Sequence, residues 1–196
     1  MLAVAERAFA ERGYHAASVD AIAEAAGITK PMVYAYFGSK EGLYRACMAA
    51  ARERLLTALR EGVDTDAAPD QQLWHGLLAF FTFVERQHDS WSVMLGDVAA
   101  GTGPFAADGA RIRTEISGLI GDLLRRAAEA EGLDVGPLAD QIARALMGAG
   151  ESLAAWWEDH PEESAERMAL VLMNFAWSGL GGLVKGEGWT PRPSRA

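Results

Sequence analysis

A single cysteine, Cys47, stands in a chain of 196 residues, which excludes an internal disulfide and any zinc site built from this chain's thiolates alone. Histidine is scarce too, and His15, His75, His88 and His160 form no metal-spaced pair. No glycine-rich phosphate loop or nucleophile elbow is present, so neither a cofactor nor a catalytic constellation is expected. No run of β-branched or aromatic residues alternates with period two, which removes the sheet classes. The longest uncharged run, Met168 to Val184, is shorter than the roughly 20 apolar residues of a membrane span, and it contains Asn174, Ser178 and several glycines. A basic-then-apolar leader is missing as well, because Glu6 and Arg7 interrupt the opening residues. The expectation is a soluble, cytoplasmic protein with no membrane partner.

What the chain does have is helical spacing and an uneven charge. With 50% apolar and 23% charged residues it can bury one good core or two small ones. The net charge of −9 argues at first against nucleic acid. Residues 1–54, however, carry seven basic and six acidic side chains, and the remainder holds 11 basic and 21 acidic ones. A near-neutral N-terminal segment is thus joined to an acidic body, which would repel phosphates and direct any DNA contact to the N-terminal end. Leu2, Ala5 and Phe9 line a first helix that Gly13 ends, and Leu43, Tyr44, Cys47, Met48, Leu55 and Leu59 mark a long one that stops at Gly62. Apolar residues recur at helical spacing from Leu73 to Val84, from Ile112 to Leu124, and from Leu138 to Trp156. Gly96 to Gly109 reads as a mobile connection, and a last helix is expected from Glu162 to Val184. The fold class is all-α, with roughly nine helices.

Residues 18–37 carry the sharpest signal. Ser18 can cap a short helix whose buried face is Val19, Ile22, Ala23 and Ala26. Gly27 permits the positive φ of a tight turn, Ile28 plugs the corner, Thr29 can cap a second helix, and Pro31 is tolerated in its first turn. Ala23, then Gly27 four later, then Val33 six later, is the spacing of a helix-turn-helix. Lys30 and Lys40 both stand at helix starts, against the helix dipole by about 0.3–1 kcal/mol, where a bound phosphate would reverse the sign. Tyr36 offers an exposed hydroxyl to DNA, while Tyr34 is divided between a DNA contact and a structural role.

These motifs, together with Phe-Ala-Glu-Arg-Gly-Tyr at 9–14, Ala-Ala-Gly-Ile-Thr-Lys at 25–30, Val-Tyr-Ala-Tyr-Phe at 33–37 and Ser-Lys-Glu-Gly-Leu at 39–43, resemble the tetracycline-repressor (TetR) family of bacterial transcription regulators. The resemblance implies a three-helix DNA-binding head over residues 1–47, a helical ligand-binding and dimerisation domain over 48–196, and a homodimer. It places the recognition helix at Thr29 to Phe37, with Thr29, Lys30, Met32 and Tyr36 toward the groove or its phosphates, and Ser18 and Lys40 on the DNA backbone. Family members commonly carry a basic arm ahead of the first helix, whereas this sequence starts inside that helix.

Beyond the head only the residues speak. Met168, Val171, Leu172, Phe175 and Trp177 leave the last helix apolar around much of its circumference, as a helix buried on several sides must be. A second copy is the expected cover, with Leu146, Leu153, Met168, Leu172 and Phe175 in an isologous interface; a central core helix is the alternative. Trp74, Phe81, Trp91, Met94 and Phe105 are the candidates for an adaptable apolar effector cavity, with Glu85, His88 and Asp97 as its polar groups; a fully packed core is the alternative. The expected function is a ligand-responsive repressor that binds an inverted-repeat operator in double-stranded DNA as a homodimer and is released by a small apolar effector. A helical protein-binding scaffold and an enzyme with an apolar pocket are the competing classes.

Overall fold

The computed structural model describes residues 1–63, 66–95, 104–130 and 132–184. Helical spacing becomes helix throughout. In chain order the elements are α1 (Leu2–Ala16), α2 (Val19–Ala25), α3 (Lys30–Phe37), α4 (Lys40–Gly62), α5 (Pro69–Arg86), α6 (His88–Leu95), α7 (Ala106–Ala130), α8 (Gly136–Glu158) and α9 (Ala165–Val184). There is no strand among the described residues.

Two helix starts differ from the expectations above. The glycine- and alanine-rich connection was expected to reach Gly109, but α7 already begins at Ala106. Alanine is the strongest helix former, and Asp108 lies in the first turn, where the dipole favours it. Residues 96–103 of that connection, Asp97 included, lie outside the described residues. The last helix starts at Ala165 rather than Glu162, because the Ser164 hydroxyl accepts the Arg167 N–H at 3.1 Å and so caps it. Gly13 interrupts the helical backbone inside α1 (φ 71°), and the chain keeps one more turn beyond it.

The described chain forms two compact units. The first comprises Met1–Val63 and Ala79–Ile116. Its core gathers Ala5 and Phe9 from α1 with Leu43, Tyr44, Cys47, Ala51 and Leu55 from α4, all buried. Residues 47 and 48, on either side of the division expected from the sequence, both lie buried inside α4. Burial pushes the Cys47 thiol up to about 12, so it stays protonated and unreactive. Polar ties join α1, α4 and α6: the Glu6 carboxylate accepts from Arg54 Nη2 at 2.6 Å and from Ser90 Oγ at 2.8 Å, and Tyr44 Oη donates to the Val93 carbonyl at 3.0 Å.

The second unit comprises Asp64–Leu78 and Ser117–Ala196. Leu146 of α8 and Ala176 of α9 centre one of its apolar clusters, covered by Leu73, Ile120, Leu124 and Ile142. Among the described residues no helix is long and apolar enough to cross a membrane.

Candidate nucleic-acid interface

Within the first unit, α2 and α3 are held together by a small set of buried groups. Val19, Ile22 and Ala23 form the inner face of α2, and Val33, fully buried, does the same for α3. The turn between them is closed by the Ile28 N–H, which donates to the Ala23 carbonyl at 3.0 Å. Gly27 adopts φ +67° there, a conformation that costs an L-residue roughly 1–2 kcal/mol and costs glycine little. The Ser18 hydroxyl caps α2, accepting from the Ala21 N–H at 3.5 Å. Thr29 occupies the N-cap position of α3 without a side-chain capping bond, so its exposed hydroxyl is not consumed by the helix.

The outer face of α3 is unusually bare for a helix with apolar residues. Val33 is its one buried residue, whereas Met32 and Tyr34 are exposed and Tyr36 is 72% exposed. A side chain that large, left in water on a rigid scaffold, is what a binding surface presents.

The two lysines are anchored in different ways. Lys30, the first residue of α3, places Nζ 2.8 Å from Asp20 Oδ2, and that hydrogen bond raises its pKa above the ordinary lysine value. Lys40, the first residue of α4, donates to the His15 carbonyl at 3.0 Å and stands 4.9 Å above the Tyr14 ring. His15 lies in the last turn of α1, whose carbonyls carry the negative end of that helix dipole. A charge set against the dipole of its own helix is therefore accommodated by the terminus of a neighbour.

Three residues at this surface have contacts that helical spacing alone does not predict. Asp20 reads as a first-turn acid of α2, and its partner is ten positions away. Tyr14 reads as a helix-end aromatic, yet it sits under Lys40 and packs edge-on to Phe105 at 4.7 Å. Gly42 lies within α4, and a Cβ there would collide with the Phe37 carbonyl at the end of α3.

The chain has counterparts among known proteins. Residues 1–47 match the model of bacterial regulatory proteins of the tetR family, and residues 69–179 match the tetracyclin repressor-like C-terminal domain. The chain belongs to the TetR family. The HTH-type transcriptional activator FasR of Mycolicibacterium smegmatis is 30% identical over 92% of this chain and 81% of its own. The HTH-type transcriptional repressor KstR2 of Mycobacterium tuberculosis is 34% identical over 45% of this chain and 44% of its own. A TetR-like transcriptional regulator from Rhodococcus sp. RHA1 superposes with a TM-score of 0.74 at 33% identity, covering 92% of this chain and 93% of that one. This TetR-family protein is accordingly a DNA-binding transcription regulator, and its relatives are regulators rather than enzymes.

Phe81, Trp91, Met94 and Phe105, four of the expected effector residues, belong to the first unit. Phe81 and Trp91 are buried and meet through Phe80, whose ring centroid lies 4.9 Å from Phe81 and 5.2 Å from Trp91. Met94 is buried on α6 as well. Phe105 packs against Tyr14 and against Tyr44, the latter at 4.3 Å. Trp74 is half-buried and belongs to the second unit. Of the expected polar groups, Glu85 and His88 are exposed.

The expected dimer residues divide by helix face. Leu146, Met168 and Leu172 are buried within their own chain, and Leu153 is half-buried. Phe175 is 74% exposed, and Leu170, Val171 and Trp177 are exposed with it on α9.

Proposed function

We propose that the chain is a ligand-responsive transcriptional repressor of the cytoplasm, which binds an inverted-repeat operator as a homodimer and leaves it when a small apolar effector binds. The observation that carries this reading is the bare face of α3, where Met32 and Tyr36 remain in water and Val33 is the one buried residue of the helix. In this reading Thr29 and Met32 meet base edges in the major groove, Lys30 stands beside them at the start of α3, and Ser18, Tyr34, Tyr36 and Lys40 meet phosphates or the groove wall. The head extends over residues 1–47 and the effector and dimer functions belong to 48–196. Homodimerisation is supported by Leu170, Val171, Phe175 and Trp177, an apolar row on α9 that the described residues leave exposed. A second copy is the natural cover, through the outward face, with Leu146, Met168 and Leu172 supporting it from behind.

The effector reading rests on Phe81, Trp91 and Met94, three apolar side chains within the unit that also holds the head. Because they are buried, an entering ligand must displace them, which Met94 can accommodate and a rigid core would not. A second reading, activation, is favoured by one observation: the relative matched over 92% of this chain carries the name of an activator.

The test is linkage. A panel of apolar small molecules is titrated against free and operator-bound protein, read by tryptophan emission with Trp91→Phe as the control. A true effector binds the free protein more tightly by a factor that also describes its effect on DNA affinity, typically about 1–3 kcal/mol of coupling. Equal ligand affinity with and without DNA would contradict the sensor, however tight the binding. Transcription from an operator-bearing template, with and without the protein, decides repression against activation.

A further inference from the structure

We propose that Asp20 is a specificity-determining residue: it pairs with Lys30 and withholds that ammonium from sequence-blind contact with DNA phosphates. The proposal rests on the assignment of α2 and α3 to the DNA surface. Lys30 is the cation at the start of α3, and its Nζ lies 2.8 Å from Asp20 Oδ2. The side chains are 45% and 67% exposed, so the pair sits at the surface that meets DNA rather than in the core. A surface ion pair adds little to folding stability, which leaves its effect on what approaches from solvent.

Non-specific binding draws almost wholly on phosphates neutralised by lysine and arginine, with release of their counterions. A lysine already neutralised by a neighbouring carboxylate brings no net charge to that exchange. Binding to the operator draws in addition on base edges, which the pair leaves accessible to Thr29 and Met32. Asp20 therefore lowers the affinity for arbitrary DNA more than the affinity for the operator. Residues 1–54 carry an excess of one basic side chain, so a single released lysine is a large fraction of the net charge there.

The purely structural role of Asp20 predicts the opposite sign. In the first turn of α2 its charge complements the helix dipole. If that were its whole contribution, Asp20→Asn would loosen α2 and weaken binding to every duplex.

The experiment measures binding of the full chain to a random-sequence duplex of about 30 base pairs and to a selected operator, between about 50 and 200 mM salt, a range over which phosphate contacts dominate the change. Asp20→Asn is expected to bind the random duplex more tightly than wild type and to steepen the log–log salt slope by about 0.9, so its advantage grows about threefold from the high to the low end of that range. Asp20→Glu should keep the wild-type slope, and in a Lys30→Ala background Asp20→Asn should change nothing. An unchanged or shallower slope in Asp20→Asn overturns the proposal. So does steepening that persists without Lys30, because the carboxylate would then act directly on phosphates. Wild-type protein that binds both duplexes without salt dependence would instead overturn the DNA surface itself, and the proposal with it.

Discussion

Gly42 occupies a position where no methyl group fits, since a Cβ there would run into the Phe37 carbonyl. Glycine inside a helix ordinarily costs about 1 kcal/mol relative to alanine, so helix propensity alone makes Gly42→Ala stabilising. The steric term has the opposite sign, and overpacking against backbone costs typically 1–3 kcal/mol. Backbone cannot rotate aside as a flexible side chain can, so the steric term wins. Gly42→Ala is expected to lower the urea midpoint and to weaken DNA binding, because the carbonyl that must move ends α3. Equal or higher stability in the variant would show that the α3–α4 corner relaxes freely. At this scale the sequence was legible where a residue acts on its own helix. Ser18 capping α2, Gly27 in the turn and Val33 beneath α3 follow from spacing. Asp20 under Lys30 and Tyr14 under Lys40 do not, because each partner arrives from another helix.

Helix α4 is fastened along its length by groups far apart in sequence. Arg45 Nε donates to Asp108 at 3.0 Å, and Arg52 meets Glu115 through Nε and Nη2, each at 2.6 Å, which ties α4 to the first half of α7. The paired geometry is the strong form of such a contact. The hydrogen bond from Arg52 holds the Glu115 carboxyl below its ordinary value of 4.5. A depressed carboxyl stabilises the folded state fully above its unfolded value and loses that contribution as pH falls through the folded one. Glu115→Gln should therefore be less stable than wild type at neutral pH, and the gap should close below about pH 4.5, as urea midpoints at a series of pH values would show. A gap independent of pH would mean that the pair adds nothing through its charge. The elements themselves were legible because apolar residues recur three and four apart. The start of α7 was not, because Gly109 and the alanines beside it read equally well as loop, and Asp108 gains its partner 63 residues away. The effector residues were hardest to read: an aromatic stripe at helical spacing looks the same in a packed core and in a cavity, and the contacts of Phe105 with Tyr14 and Tyr44 come from other helices.

At the scale of the whole molecule, the charge division governs how DNA is approached. Residues 1–54 are close to neutral while the remainder carries 21 acidic against 11 basic side chains, so the charge balance disfavours a duplex at the remainder relative to the N-terminal segment. The central claim is that two such heads, brought together by the apolar row on α9, read DNA through α3. Selection of bound duplexes from a random pool by the full chain tests it most directly. The account predicts enrichment of an inverted repeat whose half-sites lie about 10 base pairs apart, centre to centre, or a multiple of that. A pool that converges on a single asymmetric site, or on no sequence at all, would contradict it.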